Sequence, residues 1–252
     1  MAAEGKAIDA LSQFELVPVL GAVGRSVGFS QANAHMMLAV GLISALMIWG
    51  MARRAVVPGR LQAMAEMAYE FVHDLVVGQV GEKGKQFFHF VFCLFMFILL
   101  GNLLGLLPYA LTFTSHIAVT FALAAVVFIV VTVVALAIHG THFFSYFFPE
   151  GAPKALAPLI ILIEVISYLS RPISLSVRLF ANMVAGHVML KVFATFVVMI
   201  GSAAGVVGIL GAALPLAVNV ALVGFELLVA FLQAYVFAIL TSIYLHDAVH
   251  LH

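Results

Sequence analysis

The chain has 252 residues, 65% of them hydrophobic and only 9% charged, and its formal net charge is zero. A mean hydropathy of +1.20 excludes a water-soluble globular domain, whose surface needs many more polar side chains. The balanced charge points to no nucleic-acid partner. The alternation of lipid-facing and lumen-facing residues that marks a membrane β-barrel is absent. Composition therefore predicts an all-α polytopic membrane protein, in which lipid forces backbone hydrogen bonds to close within each segment.

Taken in order, residues 1–33 read as an N-terminal outer or surface segment, and residues 34–252 as a single membrane domain. The N-terminus carries Glu4, Lys6 and Asp9 without a basic stretch followed by an apolar core, so no cleavable signal peptide is expected. Ala34 to Ala52 holds no Asp, Glu, Lys or Arg and forms the first predicted span. Arg53, Arg54 and Arg60 follow at once and place this end on the inner side. Leu61 to Val80 has helical periodicity. Leu61, Met64, Ala68, Phe71, Val72 and Leu75 share one side; Glu66, Glu70, His73 and Asp74 share the other. An amphipathic helix on the inner surface fits that pattern. Gly81 to Lys85 is a charged turn.

Phe87 to Leu107 is the second span. It is dense in phenylalanine, with Asn102 as a polar exception whose expected use is a helix-packing hydrogen bond. The one cysteine, Cys93, lies within it, so no disulfide can form inside the chain. Pro108 ends this span and an uncharged outer link runs to Ser115. Ile117 to Ile138, free of charge and proline, is the third span, and His139 to Lys154 a polar inner loop.

The two remaining apolar segments, about 155–199 and 205–245, are longer than a membrane requires. Pro215 to Leu245 alone would make about 46 Å of helix against a hydrocarbon core of roughly 30 Å. A straight helix of that length lies roughly 50° from the normal. Two long, steeply tilted, antiparallel helices are therefore predicted, joined by an uncharged outer turn near Gly201–Gly211, with Pro172 as the candidate bend in the first. With five spans the C-terminus lies inside, and His246, His250 and His252 read as an exposed tail.

The fourth span carries the chemistry. Glu164, Arg171 and Arg178 are seven apart, within about 20° of two helical turns, and Asn182 extends the same stripe. Glu226 and Gln233 repeat that spacing on the last helix. Glu164 and Arg171 have a plain alternative near the inner surface, meeting headgroups or each other; Lys191 has one in reaching outward to the interface. Arg178 is different. It stays protonated under any physiological condition, lies seven residues deeper than Arg171, and has no acidic residue three or four positions away. An arginine in lipid costs from about 3 to over 10 kcal/mol, so the charge has a use.

The run SRPISLSVRLFANMVAGH at Ser170–His187 closely resembles the signature of subunit a of rotary F-type ATP synthases. GNLLGLLPY at Gly101–Tyr109 and ELLVAFLQAYVFAILTSIYL at Glu226–Leu245 support it. The resemblance extends from the first span onward and implies a non-catalytic, proton-translocating stator subunit, working against a c-subunit ring and held by peripheral-stalk b-type subunits in the lipid bilayer. It implies a bacterial inner membrane, with the mitochondrial inner membrane as the alternative, and no cofactor, metal or small-molecule substrate other than protons. Arg178 matches the family's essential arginine, which attracts an ionised ring carboxylate and blocks leakage between two offset aqueous half-channels. Gln233 matches the glutamine placed near that arginine, and Glu164 an acidic residue toward the inner half-channel.

If Arg178 and Gln233 face each other across antiparallel helices, His187 and Glu226 should be neighbours as well. The best-known bacterial form has glutamate at the position of His187 and histidine at that of Glu226; this chain has the reverse, mitochondrial-like arrangement. Either order supplies a histidine–carboxylate relay. His187 follows Arg178 by nine residues, half a turn out of phase, which turns Arg178 toward the ring and His187 toward the inlet. Two rivals remain. A secondary transporter, such as a cation–proton antiporter, commonly shows internal repeats, and none is visible here. A purely structural membrane subunit would not need Arg178.

Overall fold

Without water to compete for backbone hydrogen bonds, apolar sequence of this density settles into helices. The computed structural model describes residues 30–52, 55–107, 112–140, 143, 156–203 and 205–250. The N-terminal segment before residue 30, Arg53, Arg54, the outer link 108–111, nearly all of the inner loop after Gly140, and His252 lie outside the described residues.

Among the described residues six α-helices follow in order: α1 (Gln31–Met51), α2 (Arg60–Val80), α3 (Phe88–Gly105), α4 (Ile117–His139), α5 (Ala157–Ala203) and α6 (Gly205–Val249). Five of them, all but α2, are long and apolar enough to cross a membrane. The protein is thus an all-α polytopic membrane protein whose last two helices are long. Two stops use glycine at positive φ, where a Cβ would be strained. Gly81 (φ 78) ends α2 and Gly140 (φ 57) ends α4, each donating its N–H to a carbonyl of the last turn, Val77 and Leu136 respectively.

Phenylalanine-rich α3 is the centre. Val91, Phe95 and Ile98 belong to one core with Val72 and Val76 of α2, Phe237 and Ala238 of α6, and Ala124, Val127 and Val131 of α4. Deeply buried on α2 are Ala65, Val72, Val76 and Val80 together with Gln62, whereas Leu61 and Met64 point outward. The protein-facing side of α2 is therefore not the side with the largest apolar residues. Small and β-branched residues let a neighbouring helix approach, and lipid accepts the large ones. Gln62 earns its burial by bonding the Ala55 carbonyl (3.0 Å) and Glu66 (2.8 Å).

The helices α5 and α6 have 47 and 45 residues, or about 70 Å and about 68 Å of length. α5 continues through Pro172 and α6 through Pro215. The glycine-rich stretch expected as the turn is helical on both sides of residue 204. Glycine weakens helices by its backbone entropy and by exposing backbone to water, and lipid removes the second part of that penalty. At the other end α6 runs on through Asp247 and buries Leu245, Ala248 and Val249, so the expected tail begins later.

Candidate functional site

The antiparallel pair α5–α6 is pinned at two points. His187 Nδ1 lies 2.9 Å from Glu226 Oε1, and Arg171 Nη1 lies 3.3 Å from Asp247 Oδ2. Moving back along α5 thus means moving forward along α6, and Arg178 and Gln233 fall in the interval between the two contacts.

The first contact is the heart of a buried polar cluster. Glu226 is 4% exposed, and its carboxylate fits only because position 186 has no side chain. A Cβ on Gly186 would lie 2.6 Å from Glu226 Oε1. Nδ1 of His187 sits between that oxygen and the Met183 carbonyl (3.0 Å). Nε2 is also occupied, 2.7 Å from Thr112 Oγ1 and 3.0 Å from the Gly105 carbonyl. The turn bearing Thr112 is tied down in its own right. Thr114 donates to Asn102 Oδ1 (2.8 Å), and Asn102 Nδ2 donates to the Ala230 carbonyl of α6 (3.3 Å). Asn102 is fully buried, a packing residue as its sequence context suggests.

On α6 the seven-residue stripe holds. Glu226 and Gln233 are both buried, and Asn219, a further seven residues toward the start of the helix, continues it. Glu226 Oε2, Gln233 Nε2 and Asn219 Oδ1 are buried without a hydrogen-bond partner. Three such atoms in one line are unusual for a packed interior.

The α5 stripe divides by environment. Arg171 is drawn inward to Asp247, with its guanidinium 5.5 Å from the Tyr168 ring centre and 5.0 Å from that of Tyr244. Two small adjoining cavities beside it, each with room for about one water, are lined by Tyr168, Arg171 and Tyr244. Tyr168 reaches α4 through Thr132 (2.7 Å). Arg171 is therefore paired with Asp247 and not with Glu164. Arg178, in contrast, is exposed and has no hydrogen bond or ion pair among the described residues. Glu164 and Asn182 are half-buried, and no hydrogen bond or ion pair joins them to the cluster among the described residues. Lys191 is half-buried on α5.

Residues 34–246 match the family model described as ATP synthase A chain. The chain belongs to the ATP synthase subunit a family. It is 62% identical to the ATP synthase subunit a of Granulibacter bethesdensis over the full length of both chains. It is 54% identical to that of Acidiphilium cryptum, over 99% of this chain and 100% of the relative, and 52% identical to that of Rhodospirillum rubrum, over 96% and 98%. Subunit a is a membrane-sector component of the complex and not its catalytic subunit.

Sequence reasoning missed Thr112, Gly105, Gly186, Asn219 and the pairing of Arg171 with Asp247. Some signals were present. Gly186 directly precedes His187, Gly101 and Gly105 form a GxxxG pair, and three hydroxyls cluster at Thr112–Ser115 just before α4.

Proposed function

We propose that this subunit a carries protons to and from the carboxyl groups of a c-subunit ring through two half-channels that do not meet within the subunit. The observation that carries the reading is the opposition on α5: an exposed Arg178 with no ion pair among the described residues on one side and a buried His187–Glu226 pair on the other. A proton arriving from the outer side passes the His187–Glu226 pair to a ring carboxylate. When the ring brings a protonated site near Arg178, the fixed cation favours the ionised carboxylate, and the proton leaves toward the inner side near Glu164. Asn182 and Gln233 flank the arginine. A permanent cation also repels protons that would cross directly. Each proton descends about 2.3 kcal/mol per 100 mV of membrane potential, and forcing it around the ring turns that drop into rotation.

The orphaned atoms on the Asn219–Glu226–Gln233 line favour a hydrated or partner-facing route over a dry packing seam. In this reading the subunit sits in a bacterial inner membrane beside the ring, braced by peripheral-stalk b-type subunits. The deciding experiment is Arg178→Ala in the intact complex, with ATP-driven proton pumping measured in inverted vesicles. Pumping should vanish while the subunit remains assembled. Arg178→Lys should fail as well, because lysine can shed its proton in a low-dielectric site. Normal pumping by assembled Arg178→Ala complex rejects the mechanism.

A further inference from the structure

We propose that Thr112 is a positioning residue for proton transfer: its hydroxyl lets His187 gain and lose a proton while the ring keeps its contact with Glu226. The inference rests on the relay reading above and adds a member that lies 75 positions away from His187 in the chain.

The argument is one of donors and acceptors. Around His187, α3 presents the Gly105 carbonyl to Nε2, α5 presents the Met183 carbonyl to Nδ1, and α6 presents the Glu226 carboxylate, the charged group facing the ring. All three only accept hydrogen bonds when Glu226 is ionised. A doubly protonated ring satisfies them. A neutral ring with its proton on Nδ1 leaves Nε2 as a lone pair, which the Gly105 carbonyl cannot bond. The Thr112 hydroxyl, 2.7 Å from Nε2, serves both states. It donates to the bare nitrogen and, after rotating its hydrogen away, accepts from the protonated one. The proton exchanged at His187 can therefore come and go without the ring flipping away from Glu226.

The fold holds this hydroxyl closely. Thr112 is 2% exposed. A Cβ on Gly105 would stand 2.0 Å from Thr112 Oγ1, so only glycine lets the hydroxyl reach both the ring and the last turn of α3. Ser115 Oγ donates to the Thr112 carbonyl, and Thr114 bonds Asn102. The turn is thus anchored independently of His187.

Thr112→Val keeps the shape and removes the hydroxyl; Thr112→Ser keeps the hydroxyl and removes the methyl. The test is ATP-driven proton pumping as a function of pH by the whole complex in inverted vesicles, normalised to assembled subunit a. Thr112→Val should pump about tenfold more slowly, the factor carried by one ordinary hydrogen bond. Its pH profile should move to the alkaline side, because the acceptors Gly105, Met183 and Glu226 favour the doubly protonated ring. Thr112→Ser should restore both rate and profile. A mere packing role gives the opposite order, with valine tolerated and serine impaired. Thr112→Val at the wild-type rate, or Thr112→Ser as impaired as valine, overturns the proposal. Glu226→Gln is measured alongside. If it is inactive while Thr112→Val is normal, only the role of Thr112 falls; if it too pumps normally, the relay reading fails.

Discussion

Gly186→Ala is the smallest change with a large expected effect. The added Cβ would lie 2.6 Å from Glu226 Oε1 and 3.0 Å from its Cδ, whereas ordinary contact begins at 3.4 Å. The carboxylate oxygen must therefore retreat by about 0.8 Å from the added carbon, the difference of those two oxygen distances. A retreat of that size away from His187 carries the 2.9 Å pair past hydrogen-bonding range. Overpacking of this kind costs about 1–3 kcal/mol, which corresponds to a slowing of roughly tenfold to a hundredfold if the displaced carboxylate limits transfer. The assay is fluorescence-quench measurement of ATP-driven proton uptake by inverted vesicles, normalised to assembled subunit. A suppressor sharpens the test. Adding Glu226→Asp shortens the side chain by one methylene, about 1.5 Å, and makes room for the alanine. The double variant should pump faster than Gly186→Ala alone. Wild-type uptake by Gly186→Ala, or no gain from the second change, refutes the reasoning.

Other expectations concern the supports of the site. Asn102→Ala strands the Thr114 hydroxyl in a buried place and removes the side-chain bond to the Ala230 carbonyl, which keeps its own helix bond within α6, so the detergent-solubilised complex should lose about 1–3 kcal/mol of stability, measured by the unfolding midpoint of subunit a. Arg171→Gln and Asp247→Asn should show a coupling of about 1 kcal/mol in a double-mutant cycle, because both partners are partly exposed (21% and 32%); additive effects would mean that the pair does not tie α5 to α6. Burial pushes His116, just before α4, below its ordinary value of 6.5. The unfolded chain therefore takes up this proton first, and the stability of the fold should fall as pH drops through about 6.5. His116→Gln should flatten that acid-side loss in thermal melts at stepped pH; an unchanged slope would remove His116 as its source.

The helices were legible because the signals for them are local. Hydropathy counts residues that lipid will accept, and lipid overrides the glycines and prolines that water would turn into breaks; that override also lets helix extend on both sides of residue 204, where the glycines predict a longer turn. The register between α5 and α6 was legible through the resemblance: with Arg178 set opposite Gln233, equal and opposite steps bring His187 to Glu226, where the contact is found. The second partner of His187 was not. Thr112 reaches the ring only because Gly105 has no side chain, and no periodicity reports the distance of closest approach between two helices. The fate of Arg171 was hidden for the same reason. At a spacing of seven it shares a helical angle with Arg178, yet one guanidinium lies between two tyrosines against Asp247 and the other belongs to an exposed residue. The sequence alone determined which residues are helical, which are polar and at what angle each leaves its helix; tertiary structure alone decided which of those polar groups are satisfied inside the subunit, because a charge is neutralised by what packs against it and not by its place along the chain.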